Sequence, residues 1–345
     1  ALVTEYEKAV DAFKKEDYQT AYQLILPLAI KGVAQAQFNL GVMYANGKGV
    51  PKNYSNAIKW WNLAADQGNR KAQYNLGVSY AQGKGVPKNY QESIKWYRLS
   101  ADQGNAEAQS SLGSMYAEGK GVQQSYVEAI KWFISSAKQQ DVRGQYNLGK
   151  MYELGQGVSP NYKEAFKWYQ LAADQEDITA QFLLGKMYAN GQGVPQDYEK
   201  AVKWYELAAE QGNVEAQFNL GKLYAEGSGV YKNYKRAAKW YSLAAEQGDP
   251  RAQLFTAYIY EAGRGIPADY KKAVKWYLLA AEQGYKQAKD NIYKLAKKNS
   301  PEALKILVND AENGIAIAQT KLGNICQKIG YEPYKWYRYI AERRY

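Results

Sequence analysis

Histidine is missing from all 345 residues, so no imidazole can act as a general base or a metal ligand. Cys326 is the single thiol, which excludes an intramolecular disulfide and any multi-cysteine zinc site. Without histidine, a Ser-Lys device or a carboxylate pair could still support hydrolysis, but the sequence brings together no nucleophile, proton acceptor and charge stabiliser. Asp66 and Asp102 sit near expected helix ends, where capping or solvation explains them. The turn Gly47-Lys48-Gly49 has neither the phosphate-loop spacing nor a Ser or Thr after its lysine, and the dinucleotide fingerprint is absent. The reading is therefore a non-enzyme, with no catalytic residue, cofactor or metal. Binding is what remains. Lys and Arg number 45 against 34 Asp and Glu, a net +11, which favours a partner with an acidic surface.

The elements that would carry such a surface are set by internal repetition. Leu40-Gly41 returns every 36 residues through Leu220-Gly221 and becomes Thr256-Ala257 at the next site. Trp60 returns through Trp276 at the same spacing, and the turn Gly47-Lys48-Gly49-Val50 returns through Gly263-Arg264-Gly265-Ile266. Seven units follow: 33–68, 69–104, 105–140, 141–176, 177–212, 213–248 and 249–284. Each reads as two helices of about 12 residues, roughly 18 Å long, too short to be stable without neighbours. Residues 1–32 read as an N-terminal capping pair. Residues 285–345 read as two divergent pairs with a cap: 286–298 with 301–312, and 315–328 with 334–345 around Leu322-Gly323 and Trp336. Gln-Gly closes most units, but Gln140 and Glu176 replace that glycine, which predicts looser or bent junctions there. No apolar run approaches the roughly 20 residues of a membrane-spanning helix.

The frame AQAQFNLGVMYANGKGVPKNYSNAIKWWNLAADQGN, echoed across 33–284, resembles the Sel1-like repeat family, relatives of the tetratricopeptide repeats. The resemblance implies an all-α, right-handed α-α superhelical solenoid. It also implies that first helices line the concave face and second helices the outer layer. On that pattern Phe38, Tyr74, Tyr146, Phe182 and Phe218 face inward, interrupted by Ser110 and ending at Leu254. One turn later come Val42, Val78, Ser114, Lys150, Lys186, Lys222 and Tyr258. Arg143 joins them among the position-35 echoes, which also include Lys71 and Arg251 but alternate with Glu107 and Glu215.

The candidate partner-binding face is thus Phe38, Tyr74, Arg143, Tyr146, Lys150, Phe182, Lys186, Phe218, Lys222 and Tyr258. Aromatics would supply contact area and lysines would orient acidic groups. The plainer reading packs the rings between helices and leaves the lysines as a solvated face. The paired aromatics after each Lys, from Trp60-Trp61 to Trp276-Tyr277, and the tyrosine ladders are expected to be seam residues. Family members implied by the resemblance include scaffolds, adaptors, secreted virulence-associated proteins and immunity proteins. Cysteine-rich members linked to beta-lactams differ by repeated cysteine pairs that this chain lacks. The expectation is a protein or peptide partner with an acidic surface, such as a host or envelope protein. The alternatives are an immunity protein sequestering a bacterial effector, and a nucleic-acid binder using the basic and aromatic ladders. Ala1 fits either the product of signal-peptide removal or simply an arbitrary boundary, and it is mainly the resemblance that leads to an expected periplasmic or secreted location rather than a cytoplasmic one.

Overall fold

The computed structural model describes residues 2–298 and 300–328. The expected helix over 334–345, with Trp336 and the turn before it, lies outside the described residues. Among the described residues there are nineteen α-helices and no strand, arranged as successive antiparallel pairs of an α-solenoid. In chain order they are α1 (Leu2–Lys14), α2 (Tyr18–Ile30), α3 (Ala34–Asn46), α4 (Tyr54–Asp66), α5 (Arg70–Gln82), α6 (Tyr90–Asp102), α7 (Ala106–Glu118), α8 (Tyr126–Lys138), α9 (Val142–Leu154) and α10 (Tyr162–Asp174). There follow α11 (Ile178–Asn190), α12 (Tyr198–Glu210), α13 (Val214–Glu226), α14 (Tyr234–Glu246), α15 (Pro250–Ala262), α16 (Tyr270–Glu282), α17 (Lys286–Lys297), α18 (Pro301–Glu312) and α19 (Ala316–Lys328). The chain divides into two compact units. One runs from the N-terminus through Ala180 and includes Gln192–Val194; the other comprises Gln181–Gly191 and the chain from Pro195 onward.

Local signals explain the helix limits. Second helices begin on a side-chain cap: Asn53, Asn89, Ser125 and Asn161 in the first unit accept from backbone N–H groups three residues on, as do Asp197, Asn233 and Asp269 in the second. Such a cap contributes about 1 kcal/mol. The turn between the helices of a pair closes when the cap residue donates its own N–H to a first-helix carbonyl, Asn53 to Tyr44 at 2.8 Å and Asn89 to Tyr80 at 2.9 Å. First helices end on a left-handed glycine such as Gly47, φ 69°, where a side chain would be strained.

Within the six pairs from α3/α4 to α13/α14, the glycine of Leu-Gly lies flat against the second aromatic of the following helix. A Cβ on Gly113 would sit 2.7 Å from the Phe133 ring, and one on Gly149 would sit 2.8 Å from Tyr169. The second unit repeats this at Gly185 against Tyr205 (2.6 Å) and Gly221 against Tyr241 (2.8 Å). No real Cβ tolerates such distances, so the two helices meet only where the side chain is a hydrogen. The leucine beside each of these glycines is fully buried, from Leu40 and Leu112 to Leu184 and Leu220, each contributing roughly 1.5–3 kcal/mol.

Successive pairs are joined by a buried glutamine ladder. Gln37 donates its Nε2 to the Ala29 carbonyl of the preceding pair at 3.1 Å, and its Oε1 accepts from Gln67 at 2.8 Å. Gln73 and Gln109 repeat both bonds with Ala65 and Gln103, and with Ala101 and Gln139. In the second unit Gln217 bonds Ala209 and Gln247, and Gln253 bonds Ala245 and Gln283. The first-helix glutamines of the ladder, Gln37, Gln73, Gln109, Gln217 and Gln253, are all less than one-tenth exposed. Their bonds satisfy groups whose burial would otherwise cost about 1–3 kcal/mol each.

The junctions expected to loosen do not. Gln140 and Glu176 adopt φ of 64° and 65°, the left-handed turn that glycine adopts elsewhere, and Gln139 and Gln175 still reach Gln109 and Gln145 at 2.8 Å. The ladder and the caps of the next helices, Asp141 and Asp177, hold the turn against about 1–3 kcal/mol of backbone strain.

Two stability outcomes follow. Gly113→Ala should lower the urea midpoint by an amount corresponding to about 1–3 kcal/mol; an unchanged midpoint would mean that the seam has slack. Glu176→Gly should raise it by about 1 kcal/mol, and a loss of stability would show that the glutamate side chain does more than occupy the turn.

Candidate functional site

In the first unit the candidate residues fall into two places. Phe38 lines an apolar cavity of about 330 Å³ with Val10, Phe13, Ile25, Val42 and Met43, where α3 meets the N-terminal pair. Tyr74, on α5, lies 5.8 Å from the buried Tyr97 ring. Arg143, on α9, extends back across the neighbouring pair, donating to the Glu107 carbonyl at 3.2 Å and to the Tyr74 hydroxyl at 3.5 Å. Those acceptors are neutral, and the nearby Asp141 carboxylate acts on the guanidinium without forming a direct ion pair. Tyr146 packs half-buried on Tyr169 at 5.9 Å, and Lys150, one turn on, is exposed and pairs with no carboxylate among the described residues.

In the second unit Phe182 lies half-buried 5.9 Å from Tyr205, with Lys186 exposed one turn later. Phe218 is 5.6 Å from Tyr241 and 5.9 Å from Phe255. Arg251 covers the Phe218 ring at 4.4 Å but is bound by Glu215 at 2.7 Å and Asp249 at 2.6 Å. Burial alone would raise the Asp249 pKa. The Arg251 bond and the Ala252 N–H outweigh it and hold that carboxyl below its usual range. Arg251 is therefore a neutralised cation. Lys222 is not: its contact with Glu226 is 3.9 Å long, and both side chains are more than half exposed. Lys222 and Tyr258 share a cavity of about 210 Å³ that Phe255 and Arg264 also line.

Tyr74, Tyr146, Phe182 and Phe218 are thus packing elements as well as candidate surface: each lies against the buried ring of its own pair and is itself only half-buried. Sequence reasoning missed Phe255 and Arg264. Phe255 stands where the other units carry Asn39, Asn75, Ser111, Asn147, Leu183 and Asn219, a departure visible in the repeat frame itself. Among the described residues no group of His, Cys, Asp or Glu could hold a metal ion, and no helix is long and apolar enough to cross a membrane. Cys326 is buried, and burial pushes its thiol pKa up, away from the reactive thiolate.

The Sel1 repeat family model matches seven consecutive segments: 34–69, 70–105, 106–141, 142–177, 178–213, 214–249 and 250–285. Each begins one residue after the unit drawn from the sequence ladders. Among solved structures, a protective antigen of uropathogenic Escherichia coli strains displaying an SLR fold is 35% identical, with a TM-score of 0.81 over 96% of this chain and 74% of its own. A Sel1 repeat protein from Oxalobacter formigenes is 34% identical, with a TM-score of 0.64 over 70% of this chain and 96% of its own. No curated protein matches the sequence.

The rings beneath the candidate face also set an alkaline limit. Burial, then the nearby Tyr74 phenol, pushes the Tyr97 pKa up to about 12, whereas an unfolded tyrosine ionises near 10. Tyr97 therefore contributes its full stability below about pH 10 and loses it as pH rises toward about 12, roughly 3 kcal/mol in all. Urea unfolding at stepped pH should show that decline, shallower in Tyr97→Phe. A flat profile through the window would contradict the burial argument.

Proposed function

The chain belongs to the Sel1 repeat family, and on that premise we propose that it is a non-enzymatic scaffold that binds an acidic protein or peptide surface along its first-helix face. The observation that carries this reading is the recurrence of an exposed lysine four residues after a half-buried aromatic, as Tyr146 with Lys150, Phe182 with Lys186 and Phe218 with Lys222. Packing accounts for the ring. It does not account for an exposed cation one helical turn after each of these rings, left with no carboxylate or only a distant one. The rings would desolvate apolar groups of the partner while the lysines and Arg143 orient its carboxylates. Because short rigid helices hold these side chains, little of the binding free energy is lost to ordering the protein. An exported location is part of the proposal. It is supported by the E. coli relative, which is described as a protective antigen. The target would then be an envelope or host protein.

The test uses a fluorescent peptide in which glutamates alternate with phenylalanines. Replacing Lys150, Lys186 and Lys222 together by alanine should weaken binding at least about tenfold, or about 1.4 kcal/mol, with the helical circular dichroism unchanged. Equal affinity would remove the lysines from the site. A single-stranded oligonucleotide of equal charge should compete poorly at physiological salt; if it binds more tightly than the peptide, the partner class is wrong.

A further inference from the structure

The seventh repeat departs from the frame along α15, where Gln217-Phe-Asn-Leu-Gly-Lys222 becomes Gln253-Leu-Phe-Thr-Ala-Tyr258. The exchange is costly. Ala257 puts a methyl where the other repeats need a hydrogen, and the Thr256 hydroxyl is buried with no hydrogen-bond partner among the described residues. In return, two large aromatics reach the surface: Phe255 is 43% exposed and Tyr258 42%. A repeat that gives up packing to expose rings is accounted for better by recognition than by stability.

These rings line the 210 Å³ cavity between α13 and α15. Phe255 forms an apolar side of it, stacked on the buried Tyr241 at 5.2 Å and 11°. On the other side Arg264 lies over Tyr258 at 5.4 Å and over Tyr234 at 5.3 Å, and donates to the Tyr234 hydroxyl at 3.3 Å. That bond uses one of its five N–H groups. Among the described residues no carboxylate pairs with it. Two rings therefore hold a planar cation whose remaining donors are uncommitted, the arrangement suited to a carboxylate. Lys222 adds a second positive charge, and Glu226 lines the same cavity with the opposite sign. At the equivalent turn position the other units carry Lys48, Lys84, Lys120, Gln156, Gln192 and Ser228, so this arginine occurs in one repeat alone.

We propose that this cavity is the anchor site of the scaffold, receiving a side chain or chain segment of the partner that carries a carboxylate on a flat apolar body. The inference rests on the protein-binding reading above and supplies what that reading lacks, a single position where charge and apolar contact must be satisfied together. Phe255 and Tyr258 take the apolar body, Arg264 takes the carboxylate, Lys222 steers it, and Glu226 excludes groups bearing a second negative charge.

The probe is 3-phenylpropionate, titrated against the full chain by ligand-observed NMR, with 3-phenylpropanamide as the neutral control. A fragment of this size is expected to bind at about 1 mM, with the amide at least about tenfold weaker. Arg264→Gln should abolish the preference for the acid. Phe255→Asn, which restores the residue that four of the other six repeats carry, should weaken acid and amide alike, and Glu226→Gln should tighten the acid about threefold. Equal binding of acid and amide to the native chain, no binding of either, or an unaffected Arg264→Gln would each overturn the proposal. The glutamate–phenylalanine peptide, measured on the same variants, separates the two levels. If it binds and responds to the triple lysine change but not to Arg264→Gln, the anchor falls and the scaffold stands. If the fragment binds and the peptide does not, the scaffold reading fails and the anchor role with it.

Discussion

A hydrogen atom in place of a side chain governs this fold. At the Leu-Gly sites from Gly41 to Gly221 the first helix of a pair lies so close to the second that the aromatic ring opposite rests on bare backbone. That contact sets the distance between the helices, and the distance determines what else can be built. The adjacent leucine is buried completely, the ring is covered on one face, and the ring before it in sequence, such as Trp60 or Trp132, is left partly exposed. The inner aromatic of the first helix then lands on the edge of the covered ring, as Tyr146 does on Tyr169. The candidate binding face is therefore a by-product of the packing contact, with its rings oriented by the ones beneath them.

This layering explains why basic residues that look equivalent in sequence differ in what they can do. Arg251 and Arg143 occupy the same position in their repeats. One is neutralised by Glu215 and Asp249, while the other touches only a carbonyl and a phenol. Net charge alone is a poor guide to recognition here. The useful quantity is which cations on the first-helix face are left without a carboxylate of their own, and in that respect Lys150 and Lys186 differ from the lysines paired along second helices, such as Lys131 with Glu128.

Much of the architecture was legible in the sequence because its signals recur: 36-residue spacing, glycine exits and paired aromatics each appear in several copies, and the helix pairs follow from them. Less legible was anything that depended on a bond between copies. Gln67 read as a helix-end marker, yet its amide is half of a joint with Gln37, thirty residues away. Gln140 and Glu176 read as weakened turns, because conformational preference was visible and the bonds that override it were not. The site divided in the same way. Residues repeating in the inner ladders could be listed, but Phe255 stands out only as an exception to its column, and Arg264 only once its turn is seen to fold back onto Tyr234.

The glutamine joint has a consequence for how such a chain can grow. The copies that carry Gln37, Gln73, Gln109, Gln217 and Gln253 bring both halves of the connection, an amide that reaches back to the preceding carbonyl and a second that answers the first. A gene duplication that inserts one whole copy therefore arrives with its own fastenings and leaves those on either side intact. An insertion of any other length would strand an amide inside the wall. Lengthening by whole modules is thereby open to the lineage, and gradual lengthening is closed.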